Sequence, residues 1–195
     1  KKKRSYCEAT VIRFISKSNV REEPMCEHFG ICGGCKWQNL PYSEQLKAKQ
    51  QQVYDQLSRI GKVELPEFRP IMGSVHTKEF RNKLEFGCAN KRWYTAEELA
   101  ALPEGVGLSG GAIGFHITGS FDKIYPIEKC WLMDNLCNEI RNDIRDYALE
   151  TGMTFYDIRA QHGLLRDLML RNSNTGEWML LVQFHYDEEG DDERA

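Results

Sequence analysis

The sequence predicts an α+β fold, a mostly antiparallel sheet flanked by helices and carrying one cysteine-rich loop. Three observations predict it. Segments with strand periodicity and segments with helical periodicity do not alternate as regular βαβ units. The chain closes on a hairpin pattern, two apolar runs around Asn174-Thr-Gly176. No glycine fingerprint of a Rossmann-type cofactor domain appears along the 195 residues. A chain of this length buries about 70% of its unfolded surface, so its core needs no disulfide staples.

Residues 6–15 are rich in β-branched and aromatic side chains and read as one strand. With no partner strand before it, the chain reads as cut on its N-terminal side. Residues 16–40 form a loop. Residues 42–60 read as a helix, with Leu46, Val53, Leu57 and Ile60 at helical spacing, Pro41 ahead and Gly61 as its stop. Phe80, Asn82, Leu84, Phe86 and Cys88 alternate with Arg81, Lys83 and Glu85, which is strand periodicity. Thr95-Ala-Glu-Glu98 is a capping box opening a short helix. The Gly-rich stretch 105–114 reads as a loop, and no Gly-Lys-Ser/Thr follows to make it a phosphate loop. Strands are expected near 112–118 and 122–128. Asp134 caps a helix to Thr151, with Leu136, Ile140, Ile144 and Ala148 inward and Gly152 at its end. Leu164–Arg171 and Glu177–Tyr186 form the hairpin. Arg166 shares the alternation of Leu164, Leu168 and Leu170, and a guanidinium buried there needs a carboxylate.

The hydrophobic fraction of 41% and charged fraction of 28% are ordinary for a globular protein. No apolar run approaches the ~20 residues of a membrane helix. The basic Lys1-Lys-Lys-Arg4 run is followed by no apolar stretch of signal-peptide type. The net charge of −3 does not mark a nucleic-acid binder. Six acids between Asp187 and Glu193 account for it, and that tail reads as solvated. Seven cysteines, an odd number with no export signal, favour a reducing cytoplasm and thiolate ligation over disulfides.

Three of those cysteines, Cys26, Cys32 and Cys35, sit in one loop made pliable by Gly30, Gly33 and Gly34. Five residues separate the first pair and two the second. A fourth ligand must come from elsewhere. Cys7 and Cys88 alternate in phase with core residues, and Cys137 lies on the apolar side of its helix, so all three read as packing. Cys130 ends an extended segment just before a helix cap, where a thiolate can point into a neighbouring loop. His28 is a weaker alternative ligand. Four thiolates suit zinc or an iron–sulfur cluster. Three clustered ligands and one distant in sequence lean toward iron–sulfur, but spacing alone leaves zinc and no metal open. Phe29 and Trp37 flank the loop and read as its shield from water.

The run Cys26-Glu-His-Phe-Gly-Ile-Cys-Gly-Gly-Cys-Lys-Trp-Gln38, followed by Tyr42-Ser-Glu-Gln-Leu-Lys47, resembles the cluster loop of RNA uridine-5-methyltransferases of the RumA type. Phe80-Arg-Asn-Lys-Leu-Glu-Phe86, Gly114-Phe-His116 leading to Ile127-Glu-Lys-Cys130, and Gly163-Leu-Leu-Arg-Asp-Leu-Met-Leu-Arg171 look like the same family, in the family's order. The resemblance implies an S-adenosylmethionine-dependent enzyme methylating carbon-5 of a uridine. A thiolate adds to carbon-6, the methyl group transfers, and a proton is then removed with elimination of the thiol. It implies residues 1–23 as the last strand and exit of a TRAM domain, 24–40 as the cluster loop, 41–61 as a helix packing on a catalytic domain, and 62–195 as the central α+β domain. The catalytic domain would lie beyond Ala195, so none of the seven cysteines is implied as the nucleophile. The acidic end departs from the pattern, because no methyltransferase motif follows it.

Cys130 becomes the implied fourth ligand of a [4Fe–4S] cluster that folds the loop and shapes an RNA-facing surface. Ribosomal RNA, 23S in particular, is the implied substrate. A transfer-RNA enzyme of the same build and a stand-alone zinc or iron–sulfur RNA-binding module are the alternatives. Arg81, Asn82, Lys83 and His116 are the candidate RNA contacts. By itself the chain is expected to be inactive and to bind no S-adenosylmethionine. It is also expected to cover its exposed helix stripe by self-association.

Overall fold

The computed structural model describes residues 2–104 and 110–195, so the first half of the predicted Gly-rich loop, 105–109, lies outside the described residues. The chain divides into two compact units. One comprises residues 1–23 and 37–71, the other residues 24–36 and 72–195.

The second unit is built on a five-stranded antiparallel sheet: β1 (Lys83–Ala89), β2 (Ala112–His116), β3 (Ile124–Pro126), β4 (Leu165–Asn172) and β5 (Trp178–Phe184). Their spatial order is β3-β2-β1-β4-β5. The α+β reading therefore holds. Alternation puts Leu84, Phe86 and Cys88 of β1 on the core face with Ile113 of β2 and Leu168 and Leu170 of β4, and all are buried. Gly176 turns the β4–β5 hairpin where the sequence places it. Burying each such side chain contributes roughly 1.5–3 kcal/mol of gross transfer energy.

Helix α2 (Ala96–Ala101) opens on the predicted capping box: the Thr95 hydroxyl accepts from the Glu98 N–H, and Glu98 accepts from the Thr95 N–H. The long helix α3 (Asn135–Glu150) begins where the Asp134 carboxylate accepts the Leu136 N–H. It ends with Gly152 in the left-handed region at φ +71°, as the pattern predicts. Of the expected stripe, Ala148 is buried and Ile140 and Ile144 pack against the core, but Leu136 is exposed; Asn138 and Arg141 are buried in addition.

Two further expectations fail. The β1 strand starts at Lys83 rather than near Phe80, because the Glu79 and Arg81 N–H groups are taken by the carbonyls of Trp131 and Leu132. Arg166 is not buried among leucines. The ladder slips between Leu165 and Asp167, and this irregularity takes Arg166 out of the core alternation. It lies over the Tyr156 ring with its Nε 3.6 Å from Asp167. The acidic tail is also less plain than expected. A one-turn helix α4 (Asp191–Arg194) forms, and the buried Asp191 carboxylate accepts the N–H groups of Asp187 and Glu188.

The other unit carries helix α1 (Tyr42–Asp55), which continues through a π-turn, Gln56–Ile60. Gly61 follows in the right-handed region, so the helix stops there without a left-handed cap. Val53, Leu57 and Ile60 of the predicted stripe are exposed. The expected strand at 6–15 does not form. Its β-rich residues find no ladder partner, Val11, Ile12, Phe14 and Ile15 are exposed, and the bridge described at this end joins Lys2 to Cys7. Cys7 is exposed rather than packed. Among the described residues, no helix is long and apolar enough to cross a membrane.

Candidate cysteine site

The 24–36 loop is folded by its own backbone. The Phe29 N–H donates to the Cys26 carbonyl, and the Ile31 and Cys32 N–H groups converge on the His28 carbonyl. The loop docks on the end of β2. The Gly33 N–H donates to the His116 carbonyl at 3.0 Å. A Cβ on Gly33 would stand 2.5 Å from that same oxygen, so the approach requires glycine. The Lys36 ammonium adds a bond to the Thr118 hydroxyl at 3.3 Å. His28 is buried, and its Nε2 accepts the Glu128 N–H at 3.2 Å with the ring edge-on to Tyr125. Burial lowers its pKa, which keeps the ring neutral and able to accept. His28 is thus a tether between the loop and the segment leading to Cys130.

Cys130 is held by a second device. The Asn138 side chain grips its peptide from both sides: Oδ1 accepts the Cys130 N–H at 2.7 Å and Nδ2 donates to the Cys130 carbonyl at 3.2 Å. Arg141, one turn on, donates to Asn138 Oδ1 at 3.0 Å and to the Glu128 carbonyl at 2.7 Å. Its guanidinium lies over the Phe86 ring. A fully buried arginine is tolerable only when so bonded. The Cys130 thiol is buried, and that burial pushes its pKa up to about 11.

The four sulfurs share an electrostatic neighbourhood. Burial raises the Cys32 thiol first, and the Cys35 and Cys26 sulfurs raise it further. Burial likewise dominates at Cys26, where Cys35 adds to it. Cys35 and Cys32 both act on Cys130. Of these sulfurs, Cys32 Sγ accepts the Gly34 backbone N–H at 3.4 Å. Such bonds stabilise thiolate over thiol and are a recognised feature around ligating sulfur. Cys88 and Cys137 show no bond of this kind among the causes of their raised pKa values, which burial dominates. The packing role read for these two from the sequence agrees with their place in the core.

Among the described residues, no group of three or more His, Cys, Asp or Glu side chains is arranged to hold a single metal ion. A zinc site would need four sulfurs drawn to ~2.3 Å around one point. An iron–sulfur cluster spreads its thiolates over the corners of a larger body. The donor set, four thiols with a backbone N–H directed at Cys32, has the chemistry such a cluster requires.

Most of the other sequence-predicted residues are not gathered here. Arg81 and Asn82 lie on the exposed approach to β1, and the exposed Lys83 pairs with Glu85 at 2.6 Å. His116, at the end of β2 and paired with Ile124 of β3, does meet the loop, through its carbonyl. Trp37 is exposed and falls in the other unit. Sequence reasoning missed Asn138 and Arg141. An asparagine and an arginine three apart at inward helix positions were the available signal.

Comparison with known proteins adds what geometry does not. A Bacteroides thetaiotaomicron protein named "Uncharacterized RNA methyltransferase" is 53% identical over 182 residues, which is 93% of this chain and 40% of that protein. Its relatives are named RNA methyltransferases. The one from Porphyromonas gingivalis is 45% identical over 195 residues, 96% of this chain and 41% of its own length. The RNA methyltransferase of Chlorobaculum tepidum is 38% identical over 185 residues, 93% and 37% of the two chains. The chain therefore spans about two fifths of the length of these RNA methyltransferases. No family model matches it. Among solved structures, the Pyrococcus abyssi tRNA (uracil-54, C5)-methyltransferase in complex with S-adenosyl-L-homocysteine matches with a TM-score of 0.59 at 21% identity. The match covers 93% of this chain and 36% of that one, and it establishes a shared fold.

Proposed function

We propose that this chain is part of an S-adenosylmethionine-dependent RNA uridine-5-methyltransferase acting on 23S ribosomal RNA. In this reading Cys26, Cys32, Cys35 and Cys130 bind a [4Fe–4S] cluster, and the chain contributes to RNA recognition. The enzyme class rests on the 53% identity to a named RNA methyltransferase across nearly the whole chain. The cluster rests on one observation: Cys130, far in sequence from the loop, lies close enough to the Cys32 and Cys35 sulfurs to feel their charge, and His28 ties the loop to the segment that carries it. When bound, the cluster supplies four iron–thiolate bonds that cross-link loop and core. The chain's own residues prepare for it. His28 ties the loop to Glu128, Asn138 fixes the Cys130 peptide, and Gly33 lets the loop reach β2.

Disrupting the gene and mapping 5-methyluridine in ribosomal and transfer RNA tests the enzyme reading. Loss at a 23S uridine is the expected result. Loss confined to transfer RNA moves the substrate to the alternative suggested by the Pyrococcus abyssi enzyme's name, and no loss in either overturns the reading. For the cluster, protein purified without oxygen should carry about four iron and four sulfide per chain. Cys130→Ser should lower both. Stoichiometric zinc without iron overturns the cluster.

A further inference from the structure

The unit that carries the sheet also holds a cavity of about 350 Å³, within the size range of small-ligand sites. It opens among the end of β1, the 90–93 segment, the 121–124 segment before β3, and the 156–159 turn before β4. Of the residues singled out in the sequence, Cys88, His116 and Arg166 line it. Its composition departs from that of the chain. Lys91, Arg92, Lys123, Arg159 and Arg166 face three carboxylates, Asp122, Asp157 and Asp167, whereas the whole protein is net negative.

The cations are arranged with aromatic rings. Arg159 lies over the Phe121 ring at 5.5 Å and is bonded to Asp122. Arg166 lies over Tyr156 at 5.0 Å. Phe121 is 63% exposed, a large apolar ring left in water at the cavity mouth. Lys123 beside it is exposed and has no carboxylate partner among the ion pairs described. Trp93 completes the wall, its backbone N–H donating to the Ile124 carbonyl. Flat rings and guanidinium planes around an opening, with ammonium groups at the rim, suit one kind of ligand. A nucleobase stacks on the rings while its phosphates meet the cations. An A-form duplex cannot present a base this way, but a single strand can.

We infer that this cavity is a subsite for an unpaired nucleotide of an RNA strand, its base stacked at Phe121 and its phosphate held by Lys123. The inference rests on the RNA-methyltransferase reading for the identity of the polymer. It adds a position that is separate from Arg81, Asn82 and Lys83, which do not line the cavity.

The test is fluorescence anisotropy of a labelled single-stranded oligouridylate with the 195-residue chain. The variants are Phe121→Ala, Lys123→Gln, the double variant, and Arg81→Gln/Lys83→Gln for comparison. Both Phe121 and Lys123 are exposed, and unchanged circular dichroism and melting temperature check that the variants fold. The subsite predicts a loss of about tenfold for Phe121→Ala, the loss expected for one stacked base. It predicts a further loss in the double variant, a smaller effect of the comparison pair, and weaker binding of a duplex of equal length. Wild-type binding that the pocket variants leave intact overturns the subsite and leaves the methyltransferase reading standing. Equal competition by heparin and by unlabelled RNA, with Phe121→Ala binding normally, shows charge attraction alone and also overturns it. If the wild-type chain binds no RNA, the subsite is overturned. The gene-disruption mapping then decides separately whether the enzyme reading falls with it.

Discussion

In the unit formed by residues 24–36 and 72–195, Ile113, Leu168, Leu170 and Arg141 have no accessible surface, whereas no described residue of 1–23 or 37–71 is buried. The first region is held by a sheet packed on α3. The second is held by local bonds. Gln45 donates to the carbonyls of Trp37 and Leu40, Gln50 meets both Arg69 and Ile71, and Tyr54 sits edge-on to Phe68. Each such bond contributes only about 0.5–1.5 kcal/mol. The contrast shows that a helical stripe is a necessary sign of a packed helix and not a sufficient one. Both α1 and α3 carry apolar residues at helical spacing, and only α3 encloses any of its residues.

The contrast can be broken most directly in the core. Phe86→Ala should cost about 3–5 kcal/mol in chemical denaturation, since Phe86 is buried, packs against Phe115 and carries the Arg141 guanidinium. Arg141→Met should cost about 2 kcal/mol, because it removes one of two donors to the Glu128 carbonyl and one of two to Asn138 Oδ1. The same variant should loosen the Cys130 peptide, read as faster amide exchange at Cys130. Thr95→Ala, at the capping box, should cost about 1 kcal/mol. Leu57→Ala in the exposed stripe should change stability by less than about 0.5 kcal/mol. A cost above 2 kcal/mol there would erase the distinction between the two regions.

The smallest effect concerns pH. His162 Nδ1 is 2.7 Å from Asp187 and its Nε2 3.2 Å from Glu188. The hydrogen bond to Asp187 raises its pKa above the ordinary histidine value. A raised folded-state value means the added stability is complete below the unfolded pKa and fades as pH climbs through the folded one. Protection of the 187–191 amides, corrected for intrinsic exchange, should fall over that interval. It should not do so in His162→Asn.

Much of the sheet-bearing region, residues 72–195, is legible in the sequence because its signals are local. The capping box at Thr95, the Asp134 cap, Gly152 and the Asn174–Gly176 turn each specify a backbone conformation within a few residues. What the sequence hides is non-local. The start of β1 is decided by the carbonyls of Trp131 and Leu132, and Arg166 is turned out by a slip in register. At the candidate site, the loop cysteines and the odd position of Cys130 are visible in the chain. The clamp made by Asn138 and Arg141 is not, because polar residues on an inward helix face give no periodic signal. The 6–15 segment fails for a related reason: strand composition describes a residue's fitness for a ladder, not the presence of a partner.

The two margins of the sheet are unequal. At β3, Arg92 bridges Ile124 and the Trp93 N–H takes the Ile124 carbonyl, so that margin is occupied by the chain itself. At β5, no strand among the described residues pairs with the outer side, and Met179, Leu180 and Leu181 are each 44–46% exposed in succession. An outer strand offers a row of backbone donors and acceptors to any extended chain that meets it. The sheet is thus an open-ended template with a single growing side, and any backbone that lengthens it must lie down along Trp178–Phe184.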